Sequence, residues 1–93
     1  MTPHEILIAA KKRCSAKRWR QGDDACVGGN TCAMLAIISA ASSDDVEPCG
    51  EAERAFLSAI DAPSIVTWND EYERTYQDVA DAFDRAIEAT RPT

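Results

Sequence analysis

The sequence predicts an all-α fold, a compact single-domain four-helix bundle with long loops at about 20–30 and 62–74. Apolar residues recur in several segments with the spacing of one helix face, and stretches containing glycine, proline and aspartate separate those segments. No run alternates between apolar and polar residues for long enough to form a strand. The 93 residues, of which 45% are hydrophobic and 28% charged, match one ordinary globular domain, so 1–93 is assigned to a single domain.

The first helix is predicted at about 3–19. The stretch TPHE, residues 2–5, supplies a threonine as cap, a proline at the first helical position and a glutamate that reaches back to the backbone amide of the cap. Basic residues occupy much of the circumference outside one narrow apolar stripe. His4, the only histidine, falls in the first turn, where we expect it to be solvated. The apolar stripe consists of Ile6, Leu7, Ala10 and Cys14.

The second helix is predicted at about 31–42, after a loop with the sequence QGDDACVGGN. Three glycines, two aspartates and an asparagine make that stretch a loop. Asn30 or Thr31 is the expected cap. The helical sequence CAMLAIISAAS is apolar on every side, and a helix without a polar face is typical of the centre of a bundle. We therefore expect this helix at the centre.

The third helix is predicted at about 48–61. It starts near Pro48, after the breaker SDDVEP, and Ala62-Pro63 ends it. Its apolar residues repeat at helical spacing, so that the acids face water. The apolar face consists of Ala52, Ala55, Phe56, Ala59 and Ile60.

The fourth helix is predicted at about 75–90. Thr75 is its cap, and Asp78 is the capping-box partner. One apolar face again recurs at helical spacing. It consists of Tyr76, Val79, Ala80, Phe83, Ala86 and Ile87.

The loop at 62–74 contains the stretch TWNDEYERT, for which two interpretations are open. The loop is longer than a simple connection between helices, and a buried indole, which removes about 150–250 Å² from water, is suited to hold it on the core. Its turn formers can cap a short helical turn over 71–73, while SIVTW, residues 64–68, can form a short extended segment. The polar residues are either a structural clamp or the contacts of a polar ligand site. They are Trp68, Asn69, Asp70, Arg74 and Thr75.

Charge is segregated along the chain, whose net charge is −6. Residues 1–22 carry six lysines and arginines against one glutamate, whereas residues 23–93 carry four arginines against fifteen acids. The basic stretch KKRCSAKRWR is therefore one candidate partner-binding surface, and the 21–30 loop and an acidic face of helices three and four are the others. The tryptophan in the basic stretch makes nucleic-acid binding the alternative function. The acidic remainder counts against nucleic acid, because its readers normally carry excess positive charge. The candidate partner-binding residues are Lys11, Lys12, Lys17, Arg18 and Arg20.

No stretch predicts catalysis, so we expect a non-enzymatic protein without a cofactor. Cysteine catalysis needs a base beside the thiol, and the single histidine lies in the first turn of a helix. The stretch CVGGNTC has the glycines of a phosphate loop but lacks the lysine that follows them, and Asp23 and Asp24 would repel an anion. Asp44 and Asp45 are more typical of a helix start than of a catalytic dyad.

The four cysteines, Cys14, Cys26, Cys32 and Cys49, are expected to be reduced and metal-free. The N-terminus lacks the pattern of a signal peptide, and the longest apolar run has seven residues, so we expect a cytoplasmic protein without membrane insertion. Thiols stay reduced in that compartment, whereas two disulfides are the alternative for a secreted chain. The spacing lacks the close pairs that hold zinc, which makes a zinc site the weaker alternative.

Three motifs resemble an uncharacterised family of small actinobacterial and actinophage helical proteins. KRWRQG contains the family's Trp-x-Gln-Gly, TCAMLAI contains Cys-Ala-x-x-Ala-Ile, and IVTWNDEYERTYQDVADAFDRA contains Trp-Asn-Asp followed by Arg-Thr. The resemblance covers most of the chain and implies a helical fold and a mycobacteriophage origin, but no activity. The matching positions are Trp19, Gln21, Gly22, Cys32, Ala33, Ala36, Ile37, Trp68, Asn69, Asp70, Arg74 and Thr75.

The leading expectation is a phage-encoded interaction protein that binds and modulates a host cytoplasmic protein, in host takeover, growth inhibition or superinfection exclusion. The resemblance, the lack of a catalytic pattern and the opposed charges along the chain lead to it. We expect a monomer or a homodimer. Nucleic-acid binding through the basic first helix is the alternative, and an enzyme or metal protein centred on the cysteines ranks third.

Overall fold

The helices of the computed structural model follow the predicted order, which confirms the all-α bundle. The structure describes residues 1–92, and Thr93, the last residue of the predicted domain, lies outside the described residues. A 3₁₀ helix, Gly22–Cys26, lies within the first long loop. The α-helices of residues 1–92 are α1 (Pro3–Arg13), α2 (Ala33–Ala40), α3 (Val46–Ile60), α4 (Ile65–Asn69) and α5 (Tyr76–Ala89).

The core lies where the four longer helices meet. Helix α1 packs against α2, α3 and α5, and α3 also packs against α5. The ring of Phe56 on α3 contacts two other aromatic rings edge-to-face, with centroids 4.8 Å from Phe83 and 5.7 Å from Trp68. Such pairs contribute about 0.5–1.5 kcal/mol each beyond the area that they bury. The largest fully buried apolar side chains are Ile6, Leu7, Ile37, Phe56, Val79 and Phe83.

Both predicted capping boxes are present. The hydroxyl of Thr2 accepts from the Glu5 amide, and the Glu5 carboxylate accepts from the Thr2 amide at 2.9 Å. Thr75 and Asp78 make the same reciprocal pair at the start of α5. In each pair the backbone N–H bond to the carboxylate lowers the pKa of the acid, Glu5 or Asp78. Two of the helix starts are therefore determined by local sequence.

Helix α1 ends six residues before the predicted end at 19. Cys14 leaves the helical conformation, with φ −87° and ψ 59°. The backbone amides of Arg18 and Trp19 then both donate to the Ser15 carbonyl, at 3.0 and 2.9 Å. This turn brings Trp19 beside Thr31, with which it forms a parallel bridge. The longer helix was wrongly predicted because a pairing with a distant segment stabilises the turn.

The first turn of α2 is capped by Cys32 rather than by the predicted Asn30 or Thr31. The Cys32 sulfur accepts from the Leu35 amide at 3.4 Å. The helix consequently begins at Ala33, two residues after the predicted start at 31. Thr31 is instead held by its backbone pairing with the segment at Trp19.

The central position predicted for α2 is wrong, because one side of this helix faces solvent. Ile38 is 49% exposed and Ser39 is also exposed. Only its inner side, with Ala33, Ala36 and Ile37, is fully buried. An apolar composition predicts burial on average, but it does not say how many neighbours a short helix has. Helix α1, which was predicted to have only a narrow apolar stripe, contacts α2, α3 and α5.

Helix α3 begins two residues before the predicted start at Pro48. It follows Asp45, whose carboxylate accepts from the backbone and hydroxyl of Ser42. The helix ends at Ile60 because Asp61 adopts a left-handed conformation, with φ 50°. The predicted apolar face is the one that packs, with Ala52 and Phe56 fully buried.

Helix α4 occupies the part of the second long loop that was expected to contain an extended segment at 64–68. The Ser64 hydroxyl caps this short helix by accepting from the Thr67 amide at 3.2 Å. Helical spacing places Ile65 and Trp68 on one side, where both are buried. An extended segment would have placed them on opposite sides. Residues 71–73, expected to be a helical turn, form a non-helical turn.

His4 is half-buried between α1 and α5, so the expectation of a solvated side chain was wrong. Its Nδ1 lies 2.9 Å from the carbonyl oxygen of Ile87 and 3.4 Å from the hydroxyl of Thr90. Because a carbonyl oxygen only accepts, Nδ1 carries the proton and donates to it.

Within residues 1–92, no helix has the length and apolar character needed to cross a bilayer.

Candidate functional site

Two motifs that lie far apart in the chain meet around the side chain of Asn69. This side chain is fully buried. Its Oδ1 accepts from the Trp19 indole at 2.7 Å and from the Ala33 amide at 3.0 Å. Its Nδ2 donates to the Arg20 carbonyl at 3.2 Å and to the Asp70 carboxylate at 3.1 Å. A side-chain amide has two donors and two acceptor positions, so Asn69 uses its full capacity to join α4, α2 and the turn after α1.

The residues beside this hub strengthen the same junction. Gln21 donates from Nε2 to the carbonyls of Asn69 and Glu71, at 2.9 and 2.6 Å. The Asp70 carboxylate accepts from the Gly22 amide at 2.9 Å, and Gly22 has a φ of 60° that favours glycine. The Trp-x-Gln-Gly and Trp-Asn-Asp motifs are thus two halves of one hydrogen-bonded junction.

Trp68 and Arg74 complete the junction on its inner side. Trp68 is 7% exposed and packs on Phe56, while the Arg74 guanidinium carbon lies 4.1 Å from the centre of the indole. Arg74 also donates from Nε to the Trp68 carbonyl at 2.9 Å and pairs with Glu71 at 2.6 Å. A cation over an indole contributes about 0.5–2 kcal/mol, depending on its exposure. Thr75 follows directly and caps α5.

The contacts of this stretch favour the clamp over the polar ligand site. Within residues 1–92, every buried side-chain nitrogen and oxygen has a hydrogen-bond partner. No buried polar side-chain atom of the junction is therefore left unpaired and available to a ligand. The polar residues of TWNDEYERT hold two loops and two helices together.

The five basic residues predicted to bind a partner have different surroundings in the fold. Lys11 pairs with Asp84 of α5, which offsets its charge. Lys17 and Arg20 are exposed, and Arg20 donates to the Trp19 carbonyl at 2.6 Å. Of the five predicted residues, only two line a common cleft.

That cleft, called here the basic cleft, lies between the end of α1, the glycine loop and α2. It has a volume of about 570 Å³. Three cations line it, and none of them takes part in an ion pair within residues 1–92. The lining described by the structure contains no carboxylate, so the cleft is positive while the whole chain is negative. The lining residues are Lys12, Arg13, Arg18, Gly29, Asn30, Thr31, Leu35 and Ser39.

Backbone pairing fixes the position of the basic cleft. The Thr31 backbone amide donates to the Arg18 carbonyl at 2.9 Å, and the Arg20 backbone amide donates to the Thr31 carbonyl at 3.0 Å. The Arg18 guanidinium donates to the Gly29 carbonyl at 3.3 Å, which holds it against the glycine loop. Gly29 has a φ of 83°, and a Cβ there would lie 3.2 Å from the Arg18 guanidinium. Glycine at this position therefore permits both the turn and the close approach of the arginine.

An apolar groove lies on the other side of the exposed edge of α2. It has a volume of about 280 Å³ and shares Leu35 with the basic cleft. Ile38 and Val66, 49% and 47% exposed, form its most accessible apolar surface. The groove is lined by Gly22, Ala25, Cys26, Cys32, Met34, Leu35, Ile38, Val66 and Asp70.

A family of unknown function, DUF6197, matches residues 1–89. The chain belongs to this family. The match includes the junction around Asn69, the basic cleft and the apolar groove. Searches among curated proteins and among solved structures give no match. The family description assigns no activity to its members.

The thiols of this DUF6197 chain occupy different environments. Cys14 is buried, which, together with the nearby Cys32, raises the pKa of its thiol to about 12. Burial, with Glu53 and Asp45 nearby, also raises the pKa of the Cys49 thiol. Cys26 is exposed at the rim of the apolar groove. Within residues 1–92, histidine, cysteine and acidic side chains form no group of three or more placed to hold a metal ion.

Sequence reasoning missed Arg13 and the apolar edge of α2. Arg13 directly follows Lys12, and its position in the last turn of α1 was hidden by the assumption that the helix continued to 19. The exposure of Ile38 was missed because the whole helix was predicted to be central from its apolar composition. A count of the buried face that an eight-residue helix can offer would have indicated that one side of α2 faces solvent.

Proposed function

We propose that this DUF6197 member is a non-enzymatic, phage-encoded protein that binds a host cytoplasmic protein and modulates it. Host takeover, growth inhibition and superinfection exclusion are the outcomes that such binding would serve. The binding residues are those of the basic cleft, Lys12, Arg13 and Arg18, with Lys17 and Arg20 as exposed neighbours. The resemblance described above supports the origin in a phage and the location in a host cell.

The observation that carries the proposal is the unpaired positive charge of the basic cleft. Lys12 and Arg13 also lie at the end of α1, where cations interact favourably with the helix dipole, but each such contact is worth only about 0.3–1 kcal/mol. Helix stability does not require Arg18, which reaches the same cleft from the turn after the helix. Three cations converging on a concave surface steer an acidic partner and orient it.

The chemistry of the remaining side chains supports a role other than catalysis. The single histidine donates its Nδ1 proton to a carbonyl between α1 and α5. The most deeply buried thiol, Cys14, has a raised pKa, which disfavours the thiolate needed for nucleophilic attack. The described lining of the basic cleft and of the apolar groove contains no histidine that could act as a base for their hydroxyls and thiols.

Nucleic-acid binding through the basic cleft is the second candidate, because three convergent cations also suit phosphate groups. The tryptophan that suggested base stacking is engaged elsewhere. Trp19 donates its indole proton to Asn69 and packs near Tyr76, with ring centroids 6.5 Å apart. The net charge of −6 adds repulsion around the cleft.

Affinity capture from a mycobacterial or related lysate, quantified by mass spectrometry, tests the proposal. The bait is the wild type, the cleft variant Lys12→Gln/Arg13→Gln/Arg18→Gln, or a control variant with the same loss of charge. The control carries glutamine at three arginines that do not line the basic cleft: Arg54, Arg85 and Arg91. We expect a host protein that the wild type and the control retain and the cleft variant loses. Equal capture by all three baits would refute binding through the cleft.

A fluorescence-anisotropy titration with mixed-sequence DNA and RNA separates the two candidates. At about 0.15 M salt, where exposed charges more than roughly 8 Å apart are largely screened from each other, we expect no submicromolar binding. Submicromolar binding that falls steeply with salt and disappears in the cleft variant would place nucleic acid first.

A further inference from the structure

The basic cleft and the apolar groove lie on the two sides of one exposed helix edge, and we propose that a single acidic amphipathic segment of the partner fills both. This inference rests on the proposed function, since it names the kind of protein segment that the cleft takes. Its carboxylates would meet the cations of the cleft, and its apolar side chains would enter the groove.

The continuity of the two depressions is the first support. Leu35 lines both, and Ile38, one helical turn further on, lines the groove. Ile38 and Val66 are about half exposed, although burying an apolar side chain away from water lowers the free energy. Covering these side chains with apolar groups of a partner removes apolar surface from water, which favours binding. The edge therefore offers apolar anchor points next to fixed charge.

Charge complementarity identifies the occupant. The basic cleft has three cations and, in its described lining, no carboxylate. Asp70, the acidic residue that lines the groove, is exposed and accepts from Gly22 and Asn69 through one carboxylate oxygen, Oδ1. A basic segment would be repelled by the three cations of the cleft, and a purely acidic segment would leave the groove empty. An acidic segment with apolar side chains on one face satisfies both surfaces.

Selection from a displayed library of random peptides of about 16 residues tests the chemistry directly. A helix of that length spans about 24 Å, close to the 26 Å intermediate dimension of the molecule. We expect the enriched peptides to be acidic and to repeat apolar residues at helical spacing or in alternation. Their affinity is then measured by anisotropy with the labelled peptides against purified variants.

Three variants assign the binding surface. The cleft variant should weaken the enriched peptides at least about tenfold, as expected for lost charge-assisted contacts. Ile38→Gln should weaken them at least about fivefold while leaving the fold intact, because the side chain is half exposed. Val27→Gln is the matched control, since Val27 is 61% exposed and lines neither depression. Circular dichroism of each variant confirms the fold.

Several results would overturn the inference. Enriched peptides that are basic or lack an apolar face would do so, as would binding indifferent to Ile38→Gln or an absence of enrichment. A wild type that dimerises in light scattering, with a dimer broken by Ile38→Gln, would assign the edge to a second copy. If lysate capture depends on the cleft cations while Ile38→Gln changes nothing, the proposed function stands and the inference fails. If capture ignores the cations, the proposed function fails.

Discussion

Replacing Asn69 with alanine should destabilise the domain more than its small size suggests. The substitution removes the acceptor for the Trp19 indole and for the Ala33 amide, and the donor to the Arg20 carbonyl. A buried donor or acceptor left without a partner costs about 1–3 kcal/mol. Trp19 is half-buried and Arg20 exposed, so water can reach part of the opened site, and the total falls below the sum of three full penalties.

We therefore expect Asn69→Ala to lower the free energy of unfolding by about 3–5 kcal/mol, a large part of the roughly 5–15 kcal/mol typical of a domain. Urea unfolding followed by circular dichroism measures this change. With a slope of about 1–3 kcal/mol per molar urea, the midpoint should fall by at least about 1 M. The indole proton of Trp19, now without its acceptor, should also exchange with solvent faster, which proton–deuterium exchange followed by NMR detects.

Gln77→Ala is the matched control for Asn69→Ala. Gln77 is also an amide that donates to a carboxylate, that of Asp81 at 2.8 Å, but it lies exposed on α5. Its removal should change stability by no more than about 0.5 kcal/mol. If Asn69→Ala is as mild as this control, the junction is not a clamp, and its polar residues become candidates for ligand contact.

Four further predictions test other parts of the structure. Trp68→Ala should lower stability by about 3–5 kcal/mol, seen as a reduced melting temperature in circular dichroism; an unchanged temperature would contradict its burial. Excess reductant or chelator, added separately, should leave the helical signal intact, and a loss with either reagent would overturn the reduced, metal-free interpretation. Iodoacetamide should alkylate Cys26 before Cys14 in the folded protein, because Cys14 is buried and its pKa is raised to about 12. Peptide mass spectrometry measures the two alkylation rates, and equal rates would indicate local opening around Cys14. The hydrogen bond from the Thr75 backbone amide lowers the pKa of Asp78, so it stabilises the protein above the unfolded pKa of about 3.9, and this stabilisation is lost as the pH falls through the lower folded pKa. Urea titrations should therefore show that acid lowers the free energy of unfolding less in Asp78→Asn than in the wild type, and equal decreases would count against the cap.

Local patterns were sufficient wherever the deciding contacts lie within about four residues. The reciprocal caps at Thr2 and Thr75, and the apolar faces of α3 and α5, follow from spacing that a helix imposes on neighbouring side chains. The charge segregation between the basic first quarter and the acidic remainder is likewise a property of the chain itself. These features, together with the composition, determined the all-α fold before any tertiary contact was known.

The remaining features depend on contacts between distant segments. The turn after α1 is held by Thr31 and by the Asn69 amide, 50 residues from Trp19, and a local pattern does not report on such bonds. Burial of α2 depends on which neighbours reach it. Apolar composition alone therefore predicted that the whole helix is central, while packing left Ile38 at an exposed edge. The basic cleft has the same origin, because the turn that ends α1 brings Arg18 beside Lys12 and Arg13. Lys11 does not line this cleft and pairs with Asp84 of α5. Sequence determined which charges and apolar groups were available; tertiary structure decided which of them share a surface, because that depends on the directions in which folded elements point side chains.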